Sequence, residues 1–151
     1  MVDTAATDTD VRLHIYNTFL TTGAPPSVSD TARSLGRSAD DARAAYERLA
    51  TSRVIVLRPG SHDILMAAPL SAVPTRFNVR VADGRSYYAN CVWDALGVLS
   101  MLGRDGVVDA TCADCDERVE LRVAHGELLP SDAVVHFAVP AARWWEDIVF
   151  T

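Results

Sequence analysis

The first third of the chain shows apolar residues at helical spacing. After Asp10, the apolar positions Val11, Ile15 and Phe19 recur every four residues, so they share one face of a helix. The run 23–26, a glycine and an alanine followed by two prolines, cannot continue that helix. The pattern therefore predicts a first helix that begins near Asp10 and ends before the run 23–26.

Two shorter helices are predicted next, each with its own stop and start signals. Ser27 or Ser29 is placed to cap a short second helix, and Gly36 is placed to close it. Ser38 then precedes a third helix over residues 39–50, whose first turn is acidic and suits the positive end of a helix dipole.

A hairpin follows the three helices. Residues 54–57 and 63–66 are short apolar runs separated by a proline–glycine turn, which predicts two paired strands. Three helices followed by a hairpin are typical of a winged helix-turn-helix. We therefore assign residues 1–68 to a winged-helix-like N-terminal part, followed by a linker over residues 69–74.

Beyond the linker the apolar period changes from helical to alternating. Residues 77–81 alternate, Asp83 and Gly84 form a hairpin turn, and residues 86–88 return as a second strand. A helix is predicted to start at Cys91 and to end at Gly103.

The remainder is predicted to be mostly strands. Alternation or apolar runs indicate strands at 107–110, 119–123 and 134–139. Pro140 can open a last helix, and residues 147–151 resemble a further strand. The predicted fold class is α+β: the winged-helix-like N-terminal part plus a mixed, mainly antiparallel sheet domain over residues 75–151.

Composition and charge narrow the possible functions. Of the 151 residues, 49% are hydrophobic, which suits a packed protein, and the net charge of −6 argues against nucleic-acid binding through bulk electrostatics. Neither an apolar run of membrane-spanning length nor a secretion signal is present in the sequence, so we expect a cytoplasmic protein without a membrane partner. The oligomeric state is not fixed by these features.

The most informative pair for chemistry is Cys91 and Asp94. Their spacing of three places both side chains on one face of the predicted helix, within reach of one bound atom. A helix N-terminus favours a thiolate, so the pair can offer a soft nucleophile beside a proton carrier. The competing interpretation is a buried structural cysteine next to an aspartate that caps the helix.

A second group of thiols is the pair Cys112 and Cys115, predicted to lie on a turn between two strands. One such pair is half of a tetrahedral zinc site. Cys91 could supply a third thiolate and His125 or His136 a fourth ligand, if the fold brings them together. The alternative is a tight turn with a buried first cysteine and a half-exposed second one.

Three other features have a structural and a functional interpretation each. His136, in an apolar predicted strand, is expected to be a core histidine more readily than a ligand. The neighbouring tryptophans 144–145 are expected to pack in the core, although they could line an apolar pocket. The winged-helix pattern suggests DNA binding, but Asp40 and Asp41 at the start of the third helix would repel phosphates.

Residues of the second part resemble a known family, the organomercurial (alkylmercury) lyases. The resemblance rests on the run Asn-Cys-Val-Trp-Asp-Ala-Leu-Gly at 90–97, the helix end at 102–104, the strand leading to Cys112 and the Val-His-Phe sequence at 135–137. It covers roughly residues 76–139, and more loosely the N-terminal part. Its most specific elements are Cys-x-x-Asp and the 21-residue step from Cys91 to Cys112.

The resemblance implies roles for individual residues. Cys91 is expected to be the thiolate that takes mercury, Asp94 to carry the proton to the leaving carbon, and Cys112 to correspond to a structural cysteine of the family. The family also has a second catalytic cysteine just before its Val-His-Phe strand, where this chain reads Ser-Asp-Ala-Val at 131–134. Cys115, which is outside the family pattern, could substitute for it.

The leading hypothesis is a lyase-like protein that acts on a small-molecule substrate by protonolytic cleavage of a carbon–metal bond, or by a related thiol-dependent reaction. No cofactor is expected, and Hg(II) or another soft metal would be substrate or product. The alternatives are a non-catalytic soft-metal or zinc protein using Cys91, Cys112 and Cys115, a metal-sensing winged-helix regulator, and a biosynthetic enzyme on the same scaffold.

Overall fold

The computed structural model describes residues 4–149, with side chains described from Thr7 onward. The chain forms two compact units, the first ending at Val73 and the second beginning at Pro74.

The first unit consists of three helices followed by three short strands. Its elements are α1 (Thr4–Thr22), α2 (Val28–Leu35), α3 (Ala39–Thr51), β1 (Val56–Leu57), β2 (Ile64–Ala67) and β3 (Leu70–Ser71). β2 pairs antiparallel with both β1 and β3.

The starts of α2 and α3 and the end of α2 are set by the residues that the sequence indicated, whereas α1 begins at Thr4 and not near Asp10. Ser27 caps α2 and Ser38 caps α3, each accepting a hydrogen bond of 3.1 Å on its Oγ from a backbone N–H three residues later. Gly36 closes α2 in the left-handed conformation, with φ of 61°. These caps confirm the predicted boundaries, because capping is a local property of the sequence.

One helix face from each of α1 and α3 builds the core of the first unit. The helical residues buried there are Val11, Ile15, Phe19, Ala42, Ala45, Tyr46 and Leu49. The Tyr46 hydroxyl lies in this core and makes two hydrogen bonds, to Thr31 Oγ1 at 2.8 Å and to the Pro26 carbonyl oxygen at 3.1 Å.

The segment 69–74, expected to be a linker, contributes to the first unit instead. Leu70 and Ser71 form β3, both are buried, and they pair with Ala67 and Met66 of β2. A strand of two residues has no alternation to detect, so the sequence pattern could not reveal it.

The second unit is an antiparallel sheet with one helix on it. Its elements are β4 (Phe77–Val81), β5 (Ser86–Ala89), α4 (Val92–Leu102), β6 (Gly106–Thr111), β7 (Arg118–Ala124), β8 (Glu127–Leu128) and a 3₁₀ helix (Ala141–Glu146). The strands lie in the order β5-β4-β6-β7-β8, and the pairs formed by β4 with β5 and β6, and by β7 with β6 and β8, are all antiparallel.

Because β4 is antiparallel to both of its neighbours, β5 and β6 point the same way. Their C-terminal ends therefore lie at the same end of the sheet, next to the start of β4. The loops that follow β5 and β6 both emerge there, and those loops contain the cysteines.

Helix α4 packs on β4, β5 and β6 through the buried residues Ala95, Val98 and Leu99. Val79 and Val108 of the sheet lie opposite each other in register on adjacent strands and are fully buried. This apolar contact fixes the helix against the sheet and therefore fixes the position of its first turn.

Two strand predictions for the C-terminal region are wrong. Residues 134–139 form no strand: Val134 is 89% exposed, and the Val139 carbonyl accepts a hydrogen bond of 2.8 Å from the Trp144 indole. On the outer edge of β7, Val123 and Ala124 pair with a two-residue strand, β8, that the sequence pattern did not predict. Residues 147–149 are not a strand either, and the rest of that predicted strand lies outside the described residues.

The fold class was predicted correctly as α+β, and the strand pairing found within each unit is antiparallel. None of the described helices is both long enough and apolar enough to cross a membrane.

Gly106 should be essential for the contact between α4 and the sheet. A Cβ at this position would lie 2.5 Å from the Arg80 carbonyl oxygen and 2.6 Å from Leu99 Cδ2. Because the carbonyl belongs to a paired strand and cannot move freely, we expect Gly106→Ala to lower the free energy of unfolding by about 1–3 kcal/mol. Urea unfolding measures this, with the exposed Ser100→Ala as control; equal stability of the two variants would contradict the packing described.

Candidate functional site

Cys91 occupies the N-cap position of α4. Its backbone is extended, with φ of −145° and ψ of 179°, and its Sγ accepts a hydrogen bond of 3.4 Å from the backbone N–H of Asp94. The end of β5 is held in place nearby, because Thr75 Oγ1 donates to the Ala89 carbonyl at 2.6 Å. A thiol thus stands where serine, threonine or aspartate usually caps a helix.

Asp94 extends from the first turn of α4 toward the same point. Its carboxylate accepts a hydrogen bond of 3.1 Å on Oδ2 from the Asn90 side-chain amide, and it lies close enough to the Cys91 thiol for each group to shift the pKa of the other. Asn90 Oδ1 is buried and has no hydrogen-bond partner among the described residues. Thiol, carboxyl and amide therefore form one short chain of contacts.

Asn90 is the site residue to which sequence reasoning gave no role. The signal was present, since a polar side chain directly before an N-cap and four residues before Asp94 can reach the first turn of the helix. Its amide holds the carboxyl group in a fixed orientation beside the thiol.

Burial controls protonation at this site. Burial raises the pKa of Asp94 above its ordinary value of 3.8, although the hydrogen bonds from Asn90 and Cys91 act in the opposite direction. Burial also raises the pKa of the Cys91 thiol above 9.0, and the nearby Asp94 carboxylate adds to the increase. The helix N-terminus was expected to favour a thiolate here; its N–H bonds do lower the pKa of Cys91, but the desolvation of the thiolate is the larger effect.

This arrangement can hold and move one proton. With the thiol protonated and the carboxylate charged, a proton leaving sulfur has an acceptor beside it, because the two groups lie close enough to shift each other's pKa. A soft electrophile that binds Cys91 would displace that proton onto Asp94, where burial favours its retention.

Cys112 and Cys115 lie on the turn between β6 and β7, here called the knuckle (residues 112–117). Cys112 is half-buried and Cys115 exposed, so each is more exposed than the tight-turn alternative expected. The nearby backbone N–H groups of Cys115 and Asp114, together with the Cys115 thiol, lower the pKa of Cys112.

The structure does not bring all the predicted metal ligands together. Among the described residues, which include Cys91, Cys112 and Cys115, no three His, Cys, Asp or Glu side chains form a group that could hold a metal ion. His125 and His136 are both exposed, so the prediction of a core histidine at 136 is wrong because its segment is not a strand. A third or fourth ligand for zinc is therefore not in place.

The position of the family's second catalytic cysteine is a surface loop in this chain. Residues 131–134 are exposed, and the Ala133 N–H donates to Ser131 Oγ at 3.1 Å. This loop offers hydroxyl and carboxylate oxygens but no thiol.

An apolar cleft of about 470 Å³ lies beside the first turn of α4. Trp93, 63% exposed and situated between Cys91 and Asp94 in the sequence, forms one side. The other side includes Phe137 and Trp144, whose ring centroids are 5.2 Å apart. Trp144 thus lines a pocket, which corrects the preference for core packing.

The arginines of the third helix are engaged within the first unit. Arg48 makes a bidentate contact with Asp8, at 2.6–3.1 Å, and Arg43 pairs with Asp40. In a DNA-binding helix the N-terminal surface must be basic or neutral to approach phosphates. In α3 this surface is acidic, because it presents Asp40 and Asp41.

The Cys91 thiol should become more acidic when its neighbouring charge is removed. Asp94→Asn eliminates the carboxylate that raises the pKa of Cys91, so at a pH of about 8 more of the thiol should ionise and react with iodoacetamide several-fold faster. A Cys112→Ser/Cys115→Ser background leaves one thiol to measure. Unchanged or slower alkylation would show that Asp94 does not act on the thiol.

Comparison with known proteins identifies a family for the C-terminal half of the chain. The family model described as alkylmercury lyase matches residues 70–151, more than half of the chain. Curated proteins give no match to the sequence.

Among solved structures, the chain is similar to the mercury-bound form of MerB2, with a TM-score of 0.65 and 22% sequence identity. The similarity covers 83% of this chain and 59% of that one, so this chain spans less than two thirds of that relative, and at this identity the likeness concerns the fold. With the family match over residues 70–151, which contains Cys91, Asp94 and Cys112, the chain belongs to the alkylmercury lyase family.

Proposed function

We propose that this protein cleaves a carbon–mercury bond by protonolysis, with Cys91 as the mercury-binding nucleophile and Asp94 as the proton carrier. The observation that supports this most directly is the contact between a half-buried thiol and a half-buried carboxyl group at the start of α4, inside the region matched by the family. In this proposal residues 75–151 are the catalytic part and residues 1–68 a winged-helix-like accessory part.

The reaction begins with the exchange of a thiol proton for mercury. Cys91 adds to the mercury of an organomercurial that already carries one thiolate from solution, so no ligand leaves the metal, and the Cys91 proton passes to the adjacent Asp94 carboxylate. Asp94 then delivers the proton to the carbon, and the electron pair of the carbon–mercury bond becomes the new carbon–hydrogen bond. Burial helps the second step, because it raises the pKa of the carboxyl group and so keeps the proton in place until the carbon accepts it.

Electron density on mercury must come from more than one sulfur for the carbon to leave readily. Residues 131–134 offer no thiol. We propose that a small thiol from solution serves as the second sulfur donor. Such thiols are abundant in a reducing cytoplasm, where we place the protein, and the three cysteines are free thiols.

The aromatic cleft would receive the organic group of the substrate. Its lining is apolar, and Trp93 connects it to the turn that contains Cys91 and Asp94. An aryl ring attached to mercury would lie on Trp93, Phe137 and Trp144 while the metal is at Cys91. The substrate class that fits best is therefore an aryl mercurial.

The competing functions have less support. Structural zinc needs four ligands, and the described residues hold no group of even three. A DNA-binding regulator needs a basic face on α3, whose arginines Arg43 and Arg48 pair with aspartates.

Release of benzene from phenylmercury in the presence of excess thiol tests the proposal. The wild-type protein should release benzene well above the thiol-only rate, and Cys91→Ala should abolish the enhancement, because the metal then has no protein sulfur. Ser100→Ala, at an exposed position of the same helix, is the matched control and should retain the activity. A wild-type rate equal to that of Cys91→Ala would refute the lyase function.

Substrate preference tests the role of the cleft. Trp93→Ala should raise KM for phenylmercury by about tenfold, since roughly 1–2 kcal/mol of ring contact is lost, and should leave KM for methylmercury nearly unchanged. Steady-state kinetics with both substrates measure this. A parallel loss for both substrates would mean that Trp93 supports the site generally instead of binding the organic group.

A further inference from the structure

The knuckle has no part in the proposed protonolysis, yet it presents two thiols. We propose that Cys112 and Cys115 form a second site, a two-thiolate acceptor that binds the mercuric ion after it leaves Cys91. This inference rests on the proposed function for the source of the ion, but the site itself is defined by its own geometry.

The backbone of the knuckle is fixed without a metal. Cys112 N–H donates to the Glu117 carbonyl at 2.8 Å, and Asp116 N–H donates to the Cys112 carbonyl at 3.1 Å. Arg76 ties the turn to the start of β4, donating to the Cys112 carbonyl at 3.3 Å and to Asp116 Oδ1 at 2.8 Å. The two cysteines therefore do not have to fold into place when an ion arrives.

The donors around the first sulfur are those that a bound thiolate requires. The N–H groups of Asp114 and Cys115, and the Cys115 thiol, lie near enough to the Cys112 sulfur to lower the pKa of its thiol. Peptide N–H bonds to sulfur stabilise a thiolate whether or not a metal is attached. The exposed side chain of Cys115 is free to turn toward an incoming ion.

The ligand count selects the kind of ion. Zinc completes a tetrahedron of four ligands, whereas mercuric ion is stable between two sulfurs in a linear arrangement. Among the described residues, no third His, Cys, Asp or Glu joins the pair. A site of two soft ligands therefore suits a two-coordinate soft ion and disfavours zinc.

The knuckle also lies at the correct end of the sheet. Cys91 follows β5 and Cys112 follows β6, and both strands end beside the start of β4. Two strand spacings of about 4.8 Å place the strand ends roughly 10 Å apart. The strand ends are therefore neighbours on the same end of the sheet, close enough for an ion to move between the two sites, while the three cysteines do not form one metal-binding group.

The transfer is a ligand exchange in which no electrons change hands. The bonds from mercury to Cys91 and to the solution thiol break, and bonds to Cys112 and Cys115 form. The protons displaced from the knuckle thiols go to the two thiolates that are released, so charge and atoms balance. Cys91 regains its proton and is ready for another substrate.

Binding of added mercuric chloride to Cys91→Ser tests the site independently of catalysis. In the presence of an excess of a monothiol, native mass spectrometry should show one mercuric ion bound per chain. The complex should also show the ultraviolet absorption of sulfur-to-mercury charge transfer. The double variant Cys91→Ser/Cys115→Ser should lose this ion. It differs from Cys91→Ser only at residue 115, whose side chain is exposed, so folding is not at risk. Retention of the ion by the double variant, or its absence from Cys91→Ser, would overturn the proposal.

A second measurement tests the transfer. In phenylmercury cleavage with limiting external thiol, Cys115→Ser should release the first equivalent of benzene at the wild-type rate and then slow by severalfold, because the product stays on Cys91. Equal rates in later turnovers would overturn the transfer. Failure of the acceptor site in these experiments would leave benzene release by the wild type intact, so the two proposals can fail separately.

Discussion

The site depends on one local constraint, the hydrogen bond from the Asp94 backbone to the Cys91 sulfur at the start of α4. It requires the extended backbone of Cys91 and a helix that begins directly after it. The helix is in turn held by Ala95, Val98 and Leu99 on the sheet, with Gly106 providing the space for Leu99. Thiol and carboxyl thus meet because a helix cap and a sheet contact act together.

Two opposing effects act on the thiols of this chain, and they are resolved differently at the two sites. At Cys91 the N–H groups of the helix start favour the thiolate, but burial and the Asp94 charge outweigh them, so the proton is retained and its acceptor lies beside it. At Cys112, which is less enclosed, N–H donors act with little opposing burial and favour ionisation. The first environment suits proton transfer and the second suits binding of a soft ion.

Much of the fold was predictable from local sequence signals. The Ser27 and Ser38 caps, the Gly36 and Gly103 closures and the start of α4 at Cys91 depend on residues within a few positions of each other, and all were found. The segment 134–139 was not predictable in this way. A strand also requires a pairing partner from elsewhere in the chain, and local alternation does not specify one; the outer edge of β7 pairs with Glu127 and Leu128 instead.

The candidate site was partly predictable for the same reason. Spacing placed Cys91 and Asp94 together, but it could not weigh burial against the helix N-terminus, so the direction of the Cys91 pKa change was missed. The distance in space between Cys91 and the knuckle depends on the strand order β5-β4-β6, which no local pattern specifies.

The central claim is that Cys91 binds the mercury and Asp94 carries the proton. It is tested most directly by Asp94→Asn in a single turnover with phenylmercury. Mass spectrometry should show the phenylmercury adduct on Cys91, because the thiol is intact. Benzene release should fall by about 10²–10⁴-fold, as expected when a positioned proton donor is removed. If the variant released benzene as fast as the wild type, Asp94 would not be the proton carrier and the account of this site would be wrong.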